Sequence, residues 1–158
     1  MNNPTIVKTL RWHDEAATQA HAQQLAHALL TRCTHLNACI TLQGDLGAGK
    51  TTWVRHVLRA LGVQGRVKSP TYAVVESYTV AQGHIWHFDF YRFSDPQEWE
   101  DAGFRDLFAS AGLKLCEWPQ NAQGMMPAPD LAIHMDLEDT TRIVTLHAFT
   151  PIGEALLA

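Results

Sequence analysis

Residues 44–52 read GDLGAGKTT and follow a short apolar run, ACITL, at residues 38–42. The segment fits the pattern G-x-x-x-x-G-K-[ST] without a mismatch, between a predicted buried strand and a helix predicted to run from Lys50 to near Leu61. Glycines let the backbone of such a loop curl so that successive N–H groups point inward, at the positive end of the helix that follows. The segment therefore predicts a phosphate-binding loop.

Individual residues of this loop have distinct predicted tasks. Lys50 is placed to reach the β- and γ-phosphates, the Thr51 hydroxyl to ligate Mg²⁺, and Thr52 to contact the α-phosphate side. The sequence contains no N-K-x-D guanine-reading segment, which favours ATP, and no L-S-G-G-Q segment, which argues against an ABC-transporter ATPase. The predicted nucleotide-binding residues of the loop are Gly44, Gly47, Ala48, Gly49, Lys50, Thr51 and Thr52.

The rest of the chain alternates between helical and strand patterns, which is typical of an α/β domain. A helix is predicted over residues 14–33, and helical segments are predicted to run from the capping motif DPQE at 95–98 toward residue 111. An antiparallel hairpin is predicted where the three residues 81–83 join two strands rich in Val, Tyr, Phe and Trp. The predicted strands are 38–42, 71–80, 84–90, 113–117, 131–135 and 143–149.

The length and composition bound the fold. The chain has 158 residues, of which 46% are hydrophobic and 18% charged, values near the globular averages. We predict one domain over residues 1–158, with segments 1–12 and 151–158 peripheral. The predicted fold class is α/β, a single-domain P-loop NTPase-like three-layer sandwich with a mixed sheet that contains an antiparallel hairpin.

Charge and cysteine content limit the partners and the compartment. The net charge of -4 does not indicate the basic surface that nucleic-acid-binding proteins usually have. We therefore expect no DNA contact and only indirect contact with RNA. The three cysteines form no C-x-x-C pair and suit a reducing cytoplasm. We expect a cytoplasmic protein with no signal peptide and no membrane span, since no apolar run is long enough.

Two acidic residues at predicted strand ends are candidates to complete a phosphate site. Asp89 lies in the segment HFDFYR at 87–92, and Glu117 lies just before Trp118. P-loop proteins use such acids to hold Mg²⁺ and to orient the attacking water. His84 and His87 are three apart in a predicted strand and point to opposite faces, so they do not predict a shared metal site.

Four motifs in order resemble the TsaE family: GDLGAGKTT at 44–52, SPTY at 69–72, HFDFYR at 87–92 and EWP at 117–119. Members of that family are small bacterial P-loop ATPases required for the N6-threonylcarbamoyl modification of adenosine 37 in tRNAs that read A-starting codons. The similarity extends from about residue 14 to 147. The resemblance implies partners of the TsaB and TsaD type, with tRNA reached indirectly through their complex.

The resemblance also implies roles for particular residues. ATP is held by residues 47–52, Mg²⁺ is ligated by Thr51 and Glu117, and Asp89 acts with Lys50 in hydrolysis. Glu15 and Arg142 resemble nucleotide-contacting positions, and Trp118 is the aromatic residue expected to report on nucleotide. The motif Ser69, Pro70, Thr71 and Tyr72 resembles a switch-like loop, in which Thr71 senses the γ-phosphate.

The leading hypothesis is a Mg²⁺-dependent ATPase that is slow alone, is stimulated by its partners, and resets the transferase between turnovers. A small P-loop kinase is a second hypothesis, although the arginines are dispersed and no lid insertion is apparent. A non-catalytic module gated by nucleotide is a third. Turnover that depends on Asp89 distinguishes the first hypothesis from the last.

Overall fold

A seven-stranded sheet forms the centre of the computed structural model, which describes residues 3–157. Its strands are β1 (Ile6–Trp12), β2 (Ala38–Gln43), β3 (Val75–Val80), β4 (Gly83–Asp89), β5 (Leu113–Glu117), β6 (Leu131–Glu138) and β7 (Thr141–Ala148). The α-helices are α1 (Glu15–Arg32), α2 (Lys50–Ala60), α3 (Gln97–Asp101), α4 (Phe104–Ala109) and α5 (Pro151–Leu157). Two short 3₁₀ helices cover Thr34–Leu36 and Pro119–Ala122.

The strand order is β1-β7-β6-β2-β5-β4-β3. Strands β6, β2, β5 and β4 run parallel to one another. At the sides of this parallel centre, β7 pairs antiparallel with β6 and β1, and β3 pairs antiparallel with β4. All five residues of β5 are buried, as expected for a strand in the middle of a parallel sheet. The α/β fold with a mixed sheet and an antiparallel hairpin is therefore confirmed.

Helices cover both faces of the sheet. Because side chains alternate along a strand, Ile40 and Leu115 lie on one face, in the main core with residues of α1, α2 and α5. Phe88 and Cys116 lie on the opposite face and pack with Trp99 of α3 and other aromatic residues. No helix among residues 3–157 is long and apolar enough to cross a bilayer.

Several predicted element bounds differ from those in the structure. Strand β3 begins at Val75 rather than at residue 71, because Val74 has a left-handed backbone (φ 70) and its N–H donates to the Pro70 carbonyl. The hairpin connection has two residues, since Gly83 already pairs with Val80. The helical segments predicted after residue 95 are confirmed as two short helices, which are separated at Gly103 (φ 79).

The two terminal segments form regular elements that the sequence patterns did not predict. Strand β1 is the outermost strand on its side of the sheet and pairs along its whole length with β7. Helix α5 packs against α1 and β7, and Leu156 of this helix is buried in the main core.

The topology brings the ends of the central strands to the start of α2. Strands β2, β4 and β5 are parallel, so their carboxyl ends lie at one edge of the sheet. This edge is where open α/β sheets bind ligands. Gly44, directly after β2, packs so closely that a Cβ there would lie 2.5 Å from the Met135 carbonyl oxygen, which explains the need for glycine.

Candidate functional site

The glycine-rich loop, residues 44–49, joins β2 to α2. Gly49 caps α2 with a left-handed backbone (φ 105). Lys50, the first residue of α2, is only 5% exposed. Its Nζ donates to the carbonyls of Gly44 and, at 3.2 Å, of Asp45, and it lies 4.4 Å from the centre of the Trp118 ring. The ammonium group of Lys50 is therefore bonded to backbone carbonyls of the glycine-rich loop. A bound anion would be a stronger hydrogen-bond partner than these neutral carbonyls.

The charge of Lys50 is balanced by acidic neighbours. Burial lowers the pKa of its ammonium group, while the negative charges of Glu117, Asp89 and Asp45 act in the opposite direction. Lys50 is thus a buried cation whose charged form is favoured by the three nearby negative charges.

Glu117, the last residue of β5, is the most enclosed of these acids, with 2% of its surface exposed. The Thr51 hydroxyl lies 3.0 Å from Oε1 and 3.1 Å from Oε2 of Glu117. Nε2 of His87 lies 2.6 Å from the same Oε2. Hydrogen bonds from two elements, α2 and β4, thus hold one buried carboxylate at the edge of the sheet.

Asp89, the last residue of β4, pairs in register with Glu117. Its Oδ1 accepts the Tyr91 N–H at 2.9 Å, and its Oδ2 accepts the Thr71 hydroxyl at 3.3 Å. Burial raises the pKa of Asp89, and the charge of Glu117 acts in the same direction, while the two hydrogen bonds oppose this rise. Such a perturbed acid beside a cleft is a candidate for a functional role.

The SPTY motif lies in the turn before β3. Thr71 faces the cleft, and its hydroxyl also lies 2.9 Å from the Ser69 Oγ. Tyr72 points away, 83% exposed, with the Arg92 guanidinium 4.2 Å above the centre of its ring. Ser69, Pro70 and Tyr72 do not line the cleft, so Thr71 is the one residue of the motif that faces it.

Arg142, the second residue of β7, lies against the glycine-rich loop. Its Nε donates to the Ala48 carbonyl at 2.6 Å. A Cβ at Gly49 would lie 2.5 Å from the same Nε, so this contact requires glycine at position 49. Arg142 thus contacts the loop from β7, which lies on the other side of β2 from β4 in the strand order.

Most of the predicted site residues share one cleft of about 280 Å³. A smaller cavity of about 150 Å³ adjoins it through Gly49, Thr52 and Arg142, and it contains Glu15. Oε1 of Glu15 lies 3.2 Å from Nε2 of His56, within hydrogen-bonding distance. The cleft is lined by Leu46, Gly47, Ala48, Gly49, Lys50, Thr51, Thr52, Thr71, Asp89, Tyr91, Glu117, Trp118 and Arg142.

Sequence reasoning missed several contacts at the site. Gly44 does not line the cleft; its carbonyl accepts from Lys50 beneath it. The contact of His87 with Glu117 was not predicted, although period-2 alternation puts His87 on the face of Asp89. Asn121, whose amide donates to the Phe90 carbonyl at 3.0 Å, follows EWP without a recognisable pattern.

The donor set at the edge of the sheet suits Mg²⁺. Thr51 and Glu117 offer a hydroxyl and a carboxylate within 3.1 Å of each other, and Asp89 supplies a second carboxylate in the same cleft. These are the hard oxygen ligands that Mg²⁺ takes beside substrate phosphates. By contrast, no group of three or more His, Cys, Asp or Glu residues within 3–157 is arranged as an all-protein metal site.

The fold and the residues gathered at the glycine-rich loop define a P-loop α/β protein. The family described as "Threonylcarbamoyl adenosine biosynthesis protein TsaE" matches residues 12–144 of the chain. The chain belongs to this TsaE family.

Individual relatives agree with this assignment. A Haemophilus influenzae protein described as tRNA threonylcarbamoyladenosine biosynthesis protein TsaE is 41% identical over 145 residues, which covers 92% of each chain. A Bacillus subtilis protein of the same description is 36% identical over 115 residues, which covers 72% of this chain and 70% of its own. The crystal structure of Bacillus subtilis YdiB superposes with a TM-score of 0.74 at 27% identity and covers 96% of this chain and 93% of that one.

Proposed function

We propose that this protein binds ATP with Mg²⁺ in the cleft and hydrolyses it in the system that installs N6-threonylcarbamoyl on adenosine 37 of tRNA. The observation that carries the proposal is the meeting of Lys50, Thr51, Asp89 and Glu117 at one edge of the sheet. Three separate elements supply these groups. Membership of the TsaE family supports the biological setting.

The loop residues act as the phosphate cradle. Residues 47–52 line the cleft at the start of α2, where the helix dipole and the free N–H groups of the first helical turn favour an anion. Lys50 exchanges the carbonyls of Gly44 and Asp45 for phosphate oxygens, since charge-assisted hydrogen bonds are about twice as strong as neutral ones. Glu15 and Arg142, beside the smaller cavity, contact the nucleoside end.

The acidic residues divide the remaining work. Thr51 and Glu117 hold the cation, which when bound neutralises charge on the phosphate oxygens. Asp89 orients the attacking water and accepts its proton, a task favoured by its raised pKa. Thr71, bonded to Asp89, reports the presence of the terminal phosphate to the SPTY loop.

The site is completed by partners. No arginine besides Arg142 lines the cleft within the described part of the chain, and Arg142 is bonded to the loop backbone. P-loop enzymes that lack an internal arginine finger are completed in trans, which is worth about 10³–10⁵ in rate. We therefore propose slow hydrolysis by the isolated protein, stimulation by TsaB- and TsaD-like partners, and contact with tRNA only through their complex.

Measurement of the modified nucleoside in cellular tRNA tests the proposal. In cells depleted of this protein, we expect N6-threonylcarbamoyladenosine to fall, and we expect the parent protein or Lys8→Ala to restore it. Lys8 is an exposed residue of the edge strand β1 and lines neither cavity of the site. It is therefore the matched control for Lys50→Ala, which should not restore the modified nucleoside. An unchanged level of the nucleoside on depletion would contradict the proposal.

A further inference from the structure

The carboxylate of Glu117 has a second buried partner besides Thr51, and this partner is a histidine. The His87 side chain is fully buried, and its Nε2 lies 2.6 Å from Glu117 Oε2. Nδ1 of His87 is also buried and has no hydrogen-bond partner within residues 3–157. Among the residues that the structure describes, Glu117 is therefore the one hydrogen-bond partner of the ring.

The sheet register explains how this contact forms. Asp89 pairs with Glu117, and His87, two residues earlier on β4, pairs with Leu115. His87 and Glu117 are therefore diagonal neighbours on the same face of two parallel strands, within reach of a long side chain. The same face is covered by α2, which carries Thr51.

The surroundings determine which nitrogen of His87 carries the proton. A neutral ring with its proton on Nδ1 would leave a buried N–H without an acceptor and would turn the lone pair of Nε2 toward a carboxylate oxygen. A ring with its proton on Nε2 donates to Oε2 and leaves only a lone pair unsatisfied at Nδ1. The second arrangement avoids both penalties.

We propose that His87 is a positioning residue, whose Nε2–H fixes Glu117 Oε2 so that Oε1 and the Thr51 hydroxyl face the cation of the bound nucleotide. This inference rests on the proposed binding of ATP with Mg²⁺. Without His87, the carboxylate keeps one hydrogen bond and is free to rotate about its terminal torsion. Mutation of a residue that orients a metal ligand in this way typically lowers metal affinity by about 10–100-fold.

A pair of variants separates positioning from packing. In His87→Gln the amide nitrogen takes the place of Nε2, whereas in His87→Asn it takes the place of Nδ1 and does not reach Glu117. His84→Asn is the control, because His84 is exposed on the opposite face of the same strand. ATP binding is measured by titration calorimetry over a series of Mg²⁺ concentrations and in excess EDTA, with thermal melting of each protein.

We expect His87→Asn to raise the Mg²⁺ midpoint of ATP binding by about 10-fold or more, with a much smaller rise in His87→Gln and none in His84→Asn. Affinity in EDTA should be unchanged in all, because the phosphate cradle is intact. Equal midpoints in His87→Asn and His87→Gln would overturn the inference, as would a parallel loss of affinity in EDTA or loss of the melting transition in both. Absence of ATP binding or of Mg²⁺ dependence in the parent protein would instead contradict the proposed function.

Discussion

Thr71 Oγ1 lies 3.3 Å from Asp89 Oδ2, and this hydrogen bond joins the SPTY loop to the end of β4. The backbone adds a second connection, because the Asp89 N–H donates to the Val74 carbonyl at 2.9 Å. Val74, which accepts this second hydrogen bond, has a φ of 70, and such a backbone is strained for a β-branched residue. Two hydrogen bonds thus tie the position of Asp89 to the conformation of this loop.

Replacement of Asp89 should separate binding from hydrolysis. We expect Asp89→Asn to bind ATP with near-normal affinity and to lose about 10²-fold or more in turnover, the scale of a missing base. Calorimetry and phosphate release measure the two effects, with Asp101→Asn, an exposed residue of α3, as the control. A parallel fall in binding and turnover would mean that Asp89 serves folding instead.

The same variant should alter the pH dependence of stability. Because burial raises the pKa of Asp89, the folded state binds the proton more tightly than the unfolded state, whose pKa is about 3.9. Stability is therefore lost as the pH rises through the folded pKa. In urea denaturation, the free energy of unfolding of Asp89→Asn should exceed that of the parent near pH 7, and the difference should shrink near pH 4. A difference that grows toward acid pH would contradict this.

The central part of the fold was predictable because its signals are local. Strand, glycine-rich loop and helix follow each other in one segment, and β5 was predicted with its observed bounds, Leu113–Glu117. That Asp89 and Glu117 lie at one edge of the sheet follows from the rule that parallel strands end at the same edge. Strand β1 was missed because it is an exposed edge strand, stabilised by pairing with β7 from the far end of the chain.

Other features depend on contacts that no recognisable sequence pattern encodes. Strand β3 begins later than predicted, because Val74 has a left-handed backbone and its N–H bonds back to Pro70. The contact between His87 and Glu117 joins residues that are 30 apart in the chain. Arg142 and Ala48 are 94 residues apart in the chain. The position of Arg142 against the loop could therefore be predicted only with knowledge of the strand order.

Removal of the loop lysine should weaken nucleotide binding. In Lys50→Ala we expect ATP affinity to fall by about 1.5–3 kcal/mol, the value of a hydrogen bond to a charged group. Lys8→Ala, on exposed β1, should bind like the parent protein. Calorimetric titration of both variants with ATP makes the comparison, and unchanged affinity in Lys50→Ala would remove the assignment of the phosphate cradle.

The Thr51 hydroxyl should govern the need for Mg²⁺. Thr51→Val keeps the shape of the side chain but loses the oxygen, whereas Thr51→Ser keeps the oxygen. We expect Thr51→Val to need about 10-fold or more Mg²⁺ for half-maximal ATP binding, since it deletes a hard oxygen ligand, and Thr51→Ser to stay near the parent value. Identical Mg²⁺ titrations of the two variants would exclude a ligand role for the hydroxyl.

ATP turnover by the purified protein, alone and with its TsaB- and TsaD-like partners, tests the proposed ATPase most directly. We expect slow release of phosphate by the isolated protein and acceleration of about 10³–10⁵ when partners complete the cleft. The acceleration should be lost in Asp89→Asn, although the partners still bind that variant. A rate that is unaffected by partners, or stimulated hydrolysis that persists in Asp89→Asn, would contradict the proposal.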